Sequence, residues 1–148
     1  MDYLLDTNIL IHFVRSSVLW EKIENDLQPF APGNNIHISA VTKGEILSFA
    51  KQYGWGKSKL EKLHKLLLPT SCIPIDGDSP LMDAYADIDA FSQAKHPDYL
   101  PLIPFSARNM GKNDLWIAST AFLFGLPLVT TDHDFDHLHP HLIEVIKF

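Results

Sequence analysis

Four acidic residues stand where predicted strands and helices meet, and they carry most of the chemistry that the sequence suggests. Asp6 ends the first predicted strand and Asp132 follows the fourth, whereas Glu45 lies one turn into a predicted helix and Asp114 opens another. In a parallel sheet, the carboxyl ends of the strands and the first turns of the helices that face them lie on one rim. The four carboxylates are therefore expected to converge.

Converging carboxylates repel one another, and without a cation some of them take up protons. Mg²⁺ and Mn²⁺ are hard cations that prefer such oxygen ligands. A divalent ion held in this way can activate a water and neutralise charge on a phosphate that is being transferred. The pattern therefore indicates metal-dependent attack on a phosphodiester.

Each acid also has a purely structural interpretation. Asp114 could favour a helix N-terminus through the helix dipole, and Glu45 could pair with Lys43. Asp132 and Asp134 could be turn residues that hydrogen-bond their own backbone. The arrangement of all four acids on one predicted rim favours the metal site over four separate structural roles.

Hydrophobic periodicity and breaker residues predict strands that alternate with helices along the whole chain. Ser39, Ser79 and Asn113 are the expected N-caps of three helices, and Pro74 places the third strand at a sheet edge. The predicted strands cover residues 3–5, 36–39, 73–75, 128–131 and 142–148; the predicted helices cover 9–14, 18–27, 41–52, 58–67, 80–94 and 114–124. This alternation is typical of an α/β fold with a parallel sheet flanked by helices, and residues 1–148 are expected to form a single domain.

Composition narrows the classes of protein. Of the 148 residues, 46% are hydrophobic, which predicts a folded domain, and no apolar run approaches the roughly 20 residues of a membrane span. A single cysteine excludes an internal disulfide, and the N-terminus lacks the basic region of a signal peptide. We therefore expect a cytoplasmic protein without a membrane segment.

The net charge of −6 is unevenly distributed along the chain. Half of the twelve basic residues lie between Lys43 and Lys65, whereas the segment from Asp76 to Asp98 holds six Asp and one Lys. A chain polarised in this way can hold an anionic polymer on one face despite its overall sign. Two ordinary solvated helix faces would give the same composition, so both interpretations stay open.

Four stretches, taken in order, resemble the PIN-domain family and, within it, the VapC-type ribonuclease toxins. Any one of them alone is a weak signal, but the ordered set spans nearly the whole chain. They read LDTN at residues 5–8, SAVTKGEI at 39–46, NDLWIAS at 113–119 and LVTTDHDF at 128–135.

The resemblance implies a three-layer sandwich with a parallel sheet, and an acidic site that binds Mg²⁺ or Mn²⁺ and hydrolyses RNA with a metal-activated water. Asp6, Glu45, Asp114 and Asp132 are then the catalytic, metal-binding set, with Asp6 and Asp114 as direct ligands. Asn8 and Thr131 would support the site through hydrogen bonds. Asp134 is an extra or substitute ligand for Asp132, and the sequence leaves that choice open.

The resemblance also implies partners, namely a small neutralising antitoxin and a second copy of the chain in a homodimer. Expected contacts to the RNA backbone are Lys43, Lys51, Arg108 and Lys112. The last two belong to a proline-rich loop, residues 96–112, that is longer than the resemblance leads us to expect.

Two other functions compete with the nuclease. One is a phosphatase with Asp6 as covalent nucleophile, which is disfavoured because such sites usually have a second Asp two residues later, where this chain has Asn8. The other is a non-catalytic RNA- or protein-binding module on the same fold, which would be expected to lack some of the four acids.

Overall fold

The structure, a computed structural model, describes residues 1–77 and 80–148. Its strands are β1 (Asp2–Leu5), β2 (Asn35–Ser39), β3 (Ser71–Ile73), β4 (Leu128–Thr130) and β5 (Val145–Lys147). Its helices are α1 (Thr7–Arg15), α2 (Val18–Leu27), α3 (Ala40–Gln52), α4 (Lys57–Leu67), α5 (Leu81–Ser92) and α6 (Lys112–Phe124), with a 3₁₀ helix over His133–Leu138. Strands and helices follow the predicted order.

The five strands form one sheet in the order β3-β2-β1-β4-β5, and all four pairings are parallel. The first strand in sequence therefore lies at the centre, with β2 on one side and β4 on the other. Because the strands are parallel, all of them end at the same edge of the sheet. The predicted α/β class and its parallel sheet are confirmed.

Alternating side chains of β1 serve two separate hydrophobic cores, as the two-residue period of a strand requires. Tyr3 and Leu5 pack against α1 to α4 on one face of the sheet. Leu4 packs against α5 and α6 on the other face. Leu4 and Leu5 are both completely buried. Helices therefore cover both faces, which confirms the three-layer sandwich.

Some predicted boundaries differ from the structure. The third strand ends at Ile73, before Pro74, because proline cannot donate to a ladder; it does lie at the sheet edge, as predicted. Asn113 does not cap α6, which begins one residue earlier with Gly111 at its N-cap. Ser79, the predicted cap of α5, lies outside the described residues.

A long loop, residues 93–111, connects α5 to α6. His96 fixes its beginning: its Nδ1 accepts the backbone N–H groups of Asp98 and Tyr99, each at 3.0 Å. Its Nε2 lies 3.0 Å from a carboxylate oxygen of Asp87 on α5. The buried Met110 holds the other end of the loop. Within residues 1–77 and 80–148, no helix is both long and apolar enough to cross a membrane.

Candidate active site

Asp6 is the most buried acid of the site and lies where β1 passes into α1. Only 4% of it is exposed. Its Oδ1 accepts the backbone N–H of Thr7 at 2.6 Å and so caps α1. Its Oδ2 accepts the hydroxyl of Thr130 at 2.7 Å and the side-chain amide of Asn8 at 3.5 Å. The carboxylate is thus fixed by groups from β4 and from its own helix.

Glu45 links the first helix to the sixth. One of its carboxylate oxygens, Oε2, accepts the hydroxyl of Thr7 in a very short hydrogen bond. The other, Oε1, accepts the side-chain amide of Asn113 at 2.7 Å. Two neutral donors from distant parts of the chain therefore orient this acid, and it does not form the predicted alternative, an ion pair with Lys43.

Asp114 occupies the third position of α6, and its carboxylate folds back over Gly111. A Cβ atom on Gly111 would stand 2.9 Å from Oδ2 of Asp114, closer than real Cβ contacts allow. Glycine at residue 111 therefore leaves the space in which this carboxylate lies. Any larger residue there would push the carboxylate from its place.

Asp132 lies just beyond the end of β4 and caps the 3₁₀ helix. Its Oδ1 accepts the backbone N–H of Asp134 at 2.9 Å. Its own N–H donates to the hydroxyl of Thr130 at 3.0 Å. The same hydroxyl donates to Asp6, so Thr130 joins two of the four acids through one oxygen atom.

All four predicted acids line one cavity of about 280 Å³ at the carboxyl end of the sheet, together with the nonpolar side chains of Ile11 and Phe49. Burial, followed by the charges of other acids, raises the pKa of Asp114 to about 6. Burial also raises the pKa of Asp6 to about 6, against its hydrogen bonds from Thr130 and Thr7. The cavity is therefore an electronegative site whose carboxylates repel one another.

The donor set consists of oxygen atoms alone, which suits Mg²⁺ or Mn²⁺. Each carboxylate oxygen has two lone pairs, so those of Asp6 can accept their hydrogen bonds and still face a cation. Within the described parts of the chain, no three His, Cys, Asp or Glu side chains are close enough to hold a metal as they stand. Binding an ion would therefore require the carboxylates to come closer together.

One supporting residue differs by one position from the prediction, because Thr130 and not Thr131 contacts the acids. Thr130, which is completely buried, contacts both Asp6 and Asp132. Thr131 is half-buried and its side chain makes no hydrogen bond among the described residues. Asn8 does contact Asp6, while the exposed Asp134 contributes its charge to the raised pKa of Asp114.

Thr130→Val should weaken Mn²⁺ binding, because valine keeps the shape of the side chain but loses the hydroxyl that orients two acids. Losing such a supporting group costs about 10- to 100-fold in metal affinity. Thr131→Val is the matched control and should leave the affinity unchanged. Isothermal titration of both variants checks this, and a larger loss in Thr131→Val would contradict the assignment.

The four predicted RNA contacts are all exposed, but they lie in different places relative to the acids. Helical geometry places Lys43 about 160° and Lys51 about 120° around α3 from Glu45, so neither is directed toward the acids. Lys112 opens α6, two residues before Asp114. Arg108 lines a separate cavity between the 93–111 loop and residues 136–141, which we call the loop cavity.

Three residues beside the acids were missed by the sequence analysis. Thr7 and Asn113 orient Glu45, and the guanidinium of Arg15 lies 5.7 Å from the ring centre of Phe49, which lines the cavity. Thr7 directly follows Asp6 and Asn113 directly precedes Asp114, and these positions could have identified them as site residues. For Arg15 the only signal was its position one helical turn after Ile11.

Comparison with known proteins identifies the family of this chain. A sequence model of the PIN domain matches residues 3–139. No curated protein matches the sequence.

Several solved structures share the fold. VapBC2 from Rickettsia felis, solved bound to a DNA fragment from its promoter, is 24% identical with a TM-score of 0.77, over 99% of this chain and 98% of that one. VapBC-1 from nontypeable Haemophilus influenzae is 21% identical with a TM-score of 0.71, over 99% and 98%. A toxin–antitoxin complex from Klebsiella pneumoniae is 25% identical with a TM-score of 0.62, over 98% and 96%. With a family model that covers most of its length and an acid site at the carboxyl end of its sheet, this chain belongs to the PIN domain family.

Proposed function

We propose that this protein is a VapC-type toxin, a metal-dependent endoribonuclease whose activity a small antitoxin restrains. The observation that carries the proposal is the gathering of Asp6, Glu45, Asp114 and Asp132 around one cavity. Membership of the PIN domain family, and the toxin–antitoxin complexes among its structural neighbours, support it. A site made only to stabilise the fold would not place four mutually repelling acids together.

In this proposal Asp6 and Asp114 hold Mg²⁺ or Mn²⁺. When bound, the ion lowers the pKa of a water and neutralises charge on the phosphate. Asp6 is held in place by Thr130, so its carboxylate is already oriented. Glu45, fixed by Thr7 and Asn113, and Asp132 orient the attacking water or a second ion.

In-line attack of the water on an RNA phosphodiester would leave a 5′-phosphate and a 3′-hydroxyl. The RNA backbone must approach an acidic cavity, so cations beside that cavity are needed. Lys112, two residues before Asp114, and Arg15, whose guanidinium lies over Phe49, would serve this purpose, and Arg108 would do so from the separate cavity that it lines. Lys43 and Lys51, which point away from the acids, would contact only more distant phosphates.

We also propose an antitoxin partner, homodimer formation and a cytoplasmic location. The structural neighbours are toxin–antitoxin complexes, one of them bound to a DNA fragment from its promoter. A protein that cuts RNA inside the cell that makes it needs such a restraint.

The test is cleavage of a mixed tRNA and rRNA pool by purified protein free of antitoxin. We expect cutting with Mg²⁺ or Mn²⁺, no cutting with EDTA, and no cutting by Asp114→Asn with either metal. End labelling should find 5′-phosphates on the products. Single-stranded DNA of matched sequence is the control substrate.

Other outcomes would favour the competing functions. Activity that survives Asp114→Asn would show that the acid cavity is not the catalytic site. A stable aspartyl-phosphate on Asp6 would indicate the phosphatase. RNA binding without cleavage under every metal condition would indicate the non-catalytic binding module.

A further inference from the structure

The loop cavity is a second concave site, and none of the four acids lines it. Its volume is about 320 Å³, and its walls bring together two phenyl rings, three imidazoles and a guanidinium, from Phe91, Phe105, His137, His139, His141 and Arg108. Small-ligand pockets begin at about 300 Å³. The cavity can therefore take one small planar group.

Hydrogen bonds around Ser92 fix the walls of the loop cavity. The Ser92 hydroxyl, completely buried at the end of α5, lies 2.8 Å from Nε2 of His137 and 3.2 Å from the sulfur of Met110. The Ser92 carbonyl accepts the backbone N–H of Arg108 at 2.7 Å. One residue thus ties the loop, the 3₁₀ helix and α5 together, so the cavity does not depend on a ligand for its shape.

The aromatic lining offers flat surfaces to a ligand. The ring centre of Phe105 lies 5.4 Å from that of Phe91 and 5.3 Å from that of His137. The ring of His141 stacks on Phe91 at 5.6 Å. Burial and then the charge of Arg108 lower the pKa of His137, which favours the neutral form of this imidazole. Neutral rings of this kind are surfaces on which bases stack.

Arg108 supplies the cavity with a positive charge that no acid in the described parts of the chain neutralises. Its side chain is exposed and forms no ion pair within residues 1–77 and 80–148. Asp136 also lines the cavity, but its carboxylate is bound by Lys147 at 2.6 Å and by His133 at 2.8 Å. The guanidinium is therefore available to an anion, and its planar fork suits a phosphate.

Both walls of the loop cavity lead directly to the acids. From Asp132 the 3₁₀ helix reaches His137 over about 10 Å, at about 2 Å per residue. On the other wall, Arg108 precedes Asp114 by six residues. A single strand with one phosphodiester at the acids would reach the loop cavity within a few nucleotides.

We propose that the loop cavity binds one unpaired nucleotide of the RNA substrate, with its base against Phe105 and His137 and its phosphate on Arg108. This inference rests on the proposed nuclease function and adds a substrate subsite to it. Leu102 and Ile103, exposed by 71% and 80% at the rim, extend the nonpolar surface for the base. The site favours single-stranded RNA, because a paired base cannot enter a cavity.

The test measures binding of a short fluorescent single-stranded RNA by anisotropy in EDTA, over a series of KCl concentrations. Arg108→Gln should weaken binding and make the salt slope shallower by about 0.7, the value for one lost single-strand phosphate contact. Phe105→Leu should weaken binding about 5- to 150-fold, the range for loss of one stacked base. Lys95→Gln, with the same charge change, and Phe124→Leu, on an exposed ring, should match the wild type.

A second measurement does not depend on the variants folding well. RNA carrying 4-thiouridine, irradiated in the complex, should crosslink to peptides that contain Phe105, His137 or His141. Crosslinks that avoid these peptides would overturn the proposal. A competition experiment with inorganic phosphate gives a second outcome that would overturn the proposal. If phosphate displaces the RNA from the wild type but not from Arg108→Gln, and Phe105→Leu binds RNA as tightly as the wild type does, the cavity binds a phosphate but no base.

The subsite and the nuclease fail in different ways. If RNA is cut in a metal-dependent manner but Arg108→Gln and Phe105→Leu bind like their controls, the nuclease stands and the subsite is wrong. If RNA is never cut but RNA binding depends on Arg108 and Phe105, the subsite proposal is correct and the protein is a non-catalytic RNA-binding module. If the wild type neither cuts nor binds RNA, both proposals are wrong.

Discussion

Asp6→Asn should abolish RNA cleavage and, at the same time, stabilise the metal-free protein. Removing one direct ligand forfeits several kcal/mol of metal-derived stabilisation of the transition state, or about a thousandfold in rate. The same change removes a carboxylate that is 4% exposed and whose burial raises its pKa to about 6. Asparagine keeps the cap on α1 and carries no charge, so the burial penalty disappears.

Thermal unfolding with and without Mg²⁺ separates the two effects. In EDTA near pH 8, Asp6→Asn should gain about 1–2 kcal/mol, since the cost of keeping this buried carboxylate charged, about 3 kcal/mol, is removed, and the hydrogen bond from Thr130, about 1–2 kcal/mol, is lost because an amide NH₂ cannot accept it. In a domain of this size, each kcal/mol of added stability raises Tm by about 2–4 °C. Mg²⁺ at a hundred times its Kd should add about 2.7 kcal/mol to the wild type and nothing to the variant.

Asp98→Asn, an exposed acid on the 93–111 loop, is the control and should keep both the activity and the Mg²⁺ response. If Asp6→Asn unfolds more readily than the wild type in EDTA, Asp6 stabilises the metal-free fold. In that case the burial of the Asp6 carboxylate would not destabilise the metal-free protein.

The metal-free protein should lose stability at the acid site as the pH rises through 6. In the folded state burial raises the pKa of Asp6 to about 6, from the 3.8 that is ordinary for an aspartate. The folded state therefore holds more protons than the unfolded state between these values, and its stability falls as the pH rises. The contribution of this group is fully present below about pH 3.8 and is lost as the pH passes through about 6.

The measurement is the difference in unfolding free energy between wild type and Asp6→Asn, in EDTA. From pH 8 to pH 5 it should move by about 1–1.5 kcal/mol in favour of the wild type, about half of the full effect. Taking the difference cancels carboxylates that do not interact with Asp6, whereas Asp114, whose pKa the charge of Asp6 helps to raise, adds to the difference in the same direction. The Mg²⁺-induced stabilisation should shrink over the same range, because the ligands must be deprotonated to bind. A difference that does not change with pH would contradict the raised pKa.

The arrangement of the acids was predictable because their positions at element ends are a local property of the sequence. Asp6 directly follows an apolar strand, and Asp114 stands at the start of an apolar helix. Once the alternation indicates a parallel sheet, these ends must share a rim. The fold class and the convergence of the acids needed no knowledge of long-range contacts.

The supporting contacts were not predictable in this way, because they depend on strand register and on pairs far apart in sequence. Leu5 pairs with Val129, which brings the next residues, Asp6 and Thr130, side by side. A register shifted by one residue would have selected Thr131, the residue that the sequence analysis named. The contact between Glu45 and Asn113 likewise joins residues 68 positions apart.

The order of strands in the sheet also determines how much of the chain must be made before the acid site can form. Strand β1, which precedes the other four strands of the sheet in sequence, is the central one, and it stays without its β4 neighbour until residues 128–130 have left the ribosome. Asp6 lacks the Thr130 hydroxyl for the same period, and Asp132 is not yet present. A nascent chain therefore has no complete acid site at any earlier stage. If the proposed nuclease function is correct, a nascent chain cannot cut RNA until residues 128–132 have been made and have folded against β1.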